Sequence, residues 1–89
     1  MDIKEIASRN YKATVRRKQI FKETSLFTFY RKIDEERKEL LATWDGGSKF
    51  DPSELADIAL VCFSIAEHFG VDLQKEMEKK MKYNEEREN

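Results

Sequence analysis

Apolar positions along this chain recur at intervals of three and four, the period of an α-helix, and nowhere alternate for long enough to make a strand. The only Asp-Gly pair, Asp45-Gly46, is followed by a second glycine and lies between two helical patterns. A first helix is expected from about Asp2 to about Phe21. Ile3, Ile6, Ala7, Tyr11, Val15, Ile20 and Phe21 mark a weak stripe that Asn10 and Thr14 continue. Thr24 or Ser25 can cap a second helix reaching about Trp44, because their hydroxyls accept from free amides of the first turn. Leu26, Tyr30, Ile33, Leu40, Leu41 and Trp44 make its stripe, and Asp45-Gly46-Gly47-Ser48 ends it.

Asp51-Pro52-Ser53-Glu54 is a strong helix start, with a cap, a proline at the first helical position and an acid three residues after the cap. This third helix runs to Phe69 and stops at Gly70. Beyond its main stripe of Leu55, Ile58, Ala59, Cys62, Ile65, Ala66 and Phe69, it carries Leu60, Val61 and Phe63, so it is apolar nearly all round. Such a helix must be covered on every side, and a second subunit is the expected source of the extra cover. Asp72 caps a fourth helix through Leu73, Met77 and Met81 to about Asn84, with Glu85 to Asn89 frayed. The expected architecture is all-α, a four-helix bundle completed by oligomerisation, in a single domain spanning 1–89.

Composition narrows the class. A chain of 89 residues with 39% charged and 39% hydrophobic side chains buries a limited core. Its 17 basic and 18 acidic residues argue against binding a nucleic-acid polymer, which favours a basic excess. One cysteine, Cys62, excludes an internal disulfide framework. Within Ile58-Ala59-Leu60-Val61-Cys62-Phe63 it reads as a small buried hydrophobe. The single histidine, His68, is six residues on, toward another face. No signal peptide opens the sequence and no apolar run spans a membrane, so no membrane partner and a cytoplasmic location are expected.

Charge is unevenly placed. Glu36 and Glu39 are three apart on the second helix, and Glu54 and Asp57 three apart on the third, so each pair shares a side. Both pairs border an apolar stripe: Ile33 and Leu40 flank Glu36, and Leu55 and Ile58 flank Glu54. Antiparallel packing would bring four carboxylates together, which repel without a cation. Hard oxygen ligands suit magnesium or manganese, and no histidine or cysteine is placed for zinc. Each pair alone also has a structural reading. Acidic helices often solvate a face, and Glu54 occupies the capping-box position. The residues by themselves leave both readings open.

Glu35-Glu36-Arg37-Lys38-Glu39, then fourteen residues, then Glu54-Leu55-Ala56-Asp57 resembles the signature of the MazG-like all-helical NTP pyrophosphatases. The likeness extends from about Thr24 to Arg87. It implies magnesium held by Glu36, Glu39, Glu54 and Asp57, with manganese a possible substitute. It also implies catalytic acids Glu35, Glu36 and Glu39, Glu35 as an outer acid or general base. Lys80, Asn84 and Arg87, spaced by four and three, are similar to a C-terminal Lys…Asn…Arg pattern of the same family that meets substrate phosphates. The implied reaction cleaves a nucleoside triphosphate-type molecule to the monophosphate and pyrophosphate, in a homodimer or homotetramer. Two features depart from the family. Arg37-Lys38 stand where many members carry glycine, and no base pocket is recognisable on the first helix. The alternatives are an enzyme like phosphoribosyl-ATP pyrophosphatase and a non-enzymatic helical interaction module.

Overall fold

The computed structural model describes residues 1–87. Among them are four helices and no strand: α1 (Ile3–Arg16), α2 (Leu26–Ala42), α3 (Pro52–Phe69) and α4 (Leu73–Glu86). Each begins where a short polar side chain takes a free amide of the first turn. Asp2 accepts from the Glu5 amide, Ser25 from Thr28, Asp51 from Ser53 and Asp72 from Lys75. Gly70, at φ 67°, turns the chain out of α3 in the left-handed conformation that glycine adopts without strain.

α1 ends five residues before the expected Phe21. Lys18 takes a left-handed conformation at φ 60°, its amide bonding the Val15 carbonyl while that of Gln19 bonds Thr14. This pair of bonds is a Schellman closure, here with lysine where glycine is usual. It throws Ile20 back against the core, where it is buried, and leaves Phe21 exposed. α4 ends two residues beyond Asn84, at Glu86. Of the stretch expected to fray, Glu85 and Glu86 are helical, Arg87 is the C-cap, and 88–89 lie outside the described residues.

α3 is the central element, packed against α1 on one side and α2 on the other. Phe29 meets Phe69 at 6.0 Å between ring centroids, while Glu36 meets Glu54 and Asp57, so α2 and α3 run antiparallel. The turn between them is self-bonded. The Trp44 indole donates to the Gly47 carbonyl at 2.7 Å, and Asp45 accepts from the amides of Gly47 and Lys49.

The face α2 buries is not its apolar stripe. Leu26, Tyr30, Leu41 and Trp44 stay at least half exposed, and Phe29 and Glu36 are the buried positions, at 4% and 6% exposure. Phe29 sets this rotation by packing on His68 and Phe69. His68 also fastens three segments. Its Nε2 donates to the Thr24 carbonyl at 2.8 Å, which leaves Nδ1 to accept from the Tyr11 hydroxyl at 2.7 Å. α4 makes little contact with the other helices, and its Met81 and Tyr83 are exposed.

Candidate metal centre and cavity

Antiparallel packing delivers the acids from both helices to one place. Glu36, Glu54 and Asp57 each offer a carboxylate oxygen, and these oxygens lie within 4.8 Å of one another. Glu36 is almost wholly buried, and Glu54 and Asp57 are half-buried. Glu36 Oε1 takes the Lys32 ammonium at 3.0 Å, one helical turn away. The other oxygen, Glu36 Oε2, and the Oε2 of Glu54 are buried with no hydrogen-bond partner among the described residues. An unpartnered buried carboxylate oxygen costs its full desolvation. Two such oxygens beside a third acid are the donor set a hard divalent cation satisfies.

Glu54 does not act as a capping-box acid. The amide it would reach back to, that of Asp51, instead donates to the Thr43 hydroxyl at 3.0 Å. Asp51 itself caps α3, accepting from both the amide and the hydroxyl of Ser53. The capping-box reading of Glu54 is thereby removed, and its carboxylate faces the acid cluster.

Glu39 is exposed and lies outside the tight group of three, but it feels them. The neighbouring Glu36 carboxyl foremost, and more weakly the charge of Glu54, hold its pKa above the usual 4.5. Lys32 is shifted the opposite way in charge. Its bond to Glu36 raises its pKa above 10.5, outweighing the lowering by burial with help from the fields of Glu36, Glu35 and Glu39. Arg37 and Lys38, the two residues that depart from the family pattern, turn outward and pair with Asp34 at 2.9 and 3.3 Å. They hold the Asp34 carboxyl below its usual value.

The acids open onto a cavity of about 590 Å³ between α1, the segment after it, α2 and α3. Glu35, Glu36 and Asp57 stand on its wall, as do the cations Arg17, Arg31 and Lys32. Ile20, Phe29, Leu60 and Val61 supply apolar wall, and Asn10 and Ser64 are polar groups on it. Two of the three apolar residues that seemed to need a second subunit, Leu60 and Val61, thus line a cavity within one chain. The third, Phe63, lines a groove beside the start of α4.

Sequence reasoning missed Lys32, although its spacing of four from Glu36 was a usable signal. It also missed the wall on α1, since Asn10 meets Ser64 across 54 residues. Lys80, Asn84 and Arg87 are not among the residues lining the cavity. Lys80 and Asn84 sit exposed on α4 and Arg87 at its C-cap, with Lys80 and Arg87 each near the Tyr83 ring, at 5.9 and 5.8 Å. α4 does not fold back onto the acid face, which is the physical reason these three residues stand apart from it. Among the described residues, no helix is long and apolar enough to cross a membrane.

No family model, curated protein or solved structure matches the chain.

Proposed function

We propose that this chain is a magnesium-dependent nucleoside triphosphate pyrophosphohydrolase of the MazG-like kind, releasing pyrophosphate from a canonical or modified nucleotide. The observation that carries the reading is the convergence of Glu36, Glu54 and Asp57, with two buried carboxylate oxygens unpartnered among the described residues, beside a cavity whose wall bears Glu36, Asp57 and three cations. These residues fit a hard divalent ion, with Glu39 beside them to complete the set. When bound, magnesium or manganese would neutralise phosphate oxygens and favour attack by water.

The chain's own groups supply the rest. Lys32 and Arg31 sit where they offset charge on the phosphates, and Arg17 faces them from the segment after α1. Glu35, exposed on the cavity wall next to Glu36, is placed to accept the proton of the attacking water. The apolar wall of Phe29, Leu60 and Val61 suits the flat face of a base. The reading includes self-association, supported by the exposed Leu41, Trp44, Phe50 and Leu55 at one end of the α2–α3 pair and by the uncovered α4.

The test is pyrophosphate release from a panel of ribo- and deoxyribonucleoside triphosphates, with magnesium and with chelator. Turnover is expected in magnesium alone, and Glu36→Gln or Asp57→Asn should lower it by orders of magnitude in folded protein. A wild-type protein inert on the whole panel, or an unimpaired Glu36→Gln, overturns the reading.

A further inference from the structure

The cavity has a second polar end that the acid chemistry does not use. Asn10 reaches from α1 to α3, its Nδ2 donating to the Ser64 hydroxyl at 2.9 Å and to the Leu60 carbonyl at 3.4 Å. A main-chain carbonyl only accepts, so this pair of bonds decides which way the amide lies. Nδ2 is committed to the protein, and Oδ1 is left as an acceptor without a partner among the described residues. Ser64 is buried, accepts from Asn10 and keeps its own hydroxyl proton to donate. An unused acceptor and an adjustable hydroxyl therefore stand side by side on the cavity wall.

Their position relative to the acids is set by α3. Asp57, Leu60, Val61 and Ser64 all line the cavity, at helical spacings of three, one and three. From Asp57 to Ser64 is about 10 Å along the helix axis, comparable with the reach from the pairing edge of a nucleobase to its first phosphates. Leu60 and Val61 lie on α3 between the two polar ends, and Phe29 adds apolar wall from α2 at the Ser64 end. The wall is thus mainly polar, with a small apolar stretch on α3 that a flat ring can lie against and polar groups at either end that can fix its orientation.

We propose that Asn10 and Ser64 read the hydrogen-bonding edge of the substrate's base, with Asn10 Oδ1 requiring an N–H donor there. The inference rests on the proposed nucleotide reading and adds the part of the substrate that the acids do not touch. Asn10 is the specificity-determining residue, because its amide is held in one orientation. Ser64 is the positioning residue, holding Asn10 and adapting its hydroxyl to whichever neighbouring ring atom the base presents.

The experiment takes the natural nucleotide that the full-length protein uses best and compares it with an analogue lacking the edge N–H. For adenine or cytosine the analogue is the purine or 2-pyrimidinone triphosphate; for guanine or uracil it is the N1- or N3-methyl triphosphate. Binding of the corresponding α,β-methylene compounds is followed by calorimetry alongside pyrophosphate release. Loss of one partner from a built polar contact should lower kcat/KM by about tenfold or more. In Asn10→Ala the natural nucleotide should fall toward the analogue, so that the ratio between them approaches one. Ser64→Ala, which is easily accommodated in a helix, should shrink the same ratio and guards against misfolding of the first variant. A wild type indifferent to the missing N–H, or a ratio that both variants preserve, overturns the inference. If that happens while Glu36→Gln is inactive and wild type turns over, the nucleotide reading survives and only the base-reading pair falls. If no nucleotide binds or reacts, both fall together.

Discussion

Glu54→Gln isolates the electrostatic cost of the acid cluster, because the side chain keeps its shape and loses only its charge. Glu54 has no cation partner among the described residues, and its Oε2 is buried and unpartnered. Two other acids, Glu36 and Asp57, present oxygens within 4.8 Å. At that separation and an effective dielectric of about 20, each like-charged pair costs about 3.5 kcal/mol before screening. Glu54 is half-buried, so solvent and salt remove well over half of the sum for two pairs. The variant also gives up a favourable acid at the α3 N-terminus, worth about 0.3–1 kcal/mol. The net expectation is a protein about 1–2 kcal/mol more stable than wild type when free of metal. For a domain of this size that raises Tm by roughly 5–15 °C. Thermal and urea unfolding in chelator, followed by circular dichroism, measures it. In saturating magnesium the order should reverse, since a bound cation stabilises wild type by mass action and the variant holds it less well. A Glu54→Gln protein less stable than wild type in chelator, with the same response to magnesium, would refute the reasoning, because the acids would then not be repelling one another.

The raised pKa of Glu39 means that the folded protein binds its proton more tightly than the unfolded chain does, so its contribution to stability is complete below about pH 4.5 and is lost as pH rises through the raised value. Metal-free Glu39→Gln should accordingly gain on wild type between pH 4.5 and 7 in urea melts, and a difference independent of pH would remove Glu39 from the cluster. Lys32→Ala should cost about tenfold in kcat/KM, more than Lys80→Ala, since only Lys32 borders the cavity; steady-state kinetics showing the reverse order would place α4, not α2, at the phosphates. His68→Ala should destabilise by about 2–3 kcal/mol, losing two hydrogen bonds and the ring that packs on Phe29. Tyr11→Phe should cost about 1 kcal/mol by chemical denaturation, and a neutral result for both would mean that the three-segment tie contributes nothing.

Helix existence, and most helix ends, were determined by neighbours in sequence. Ser25, Asp51 with Pro52, Asp72 and Gly70 act on amides and carbonyls a few residues away, so their effect is legible without a third dimension. The two acid pairs were legible for the same reason, since a spacing of three puts side chains on one side of any helix. What the tertiary structure alone decided is how each helix is turned and what faces it across space. Phe29 locks against His68 and Phe69, which rotates Glu36 inward and leaves Leu26, Tyr30 and Leu41 outside, against the apolar count. The left-handed Lys18 ends α1 early because the closure bonds and the burial of Ile20 outweigh a backbone cost of about 1–2 kcal/mol that local preference would avoid. The Asn10–Ser64 bond joins residues 54 apart, and no local rule couples them. Periodicity assigns a residue to a face of its own helix. Only packing decides whether that face meets solvent, another helix or a cavity.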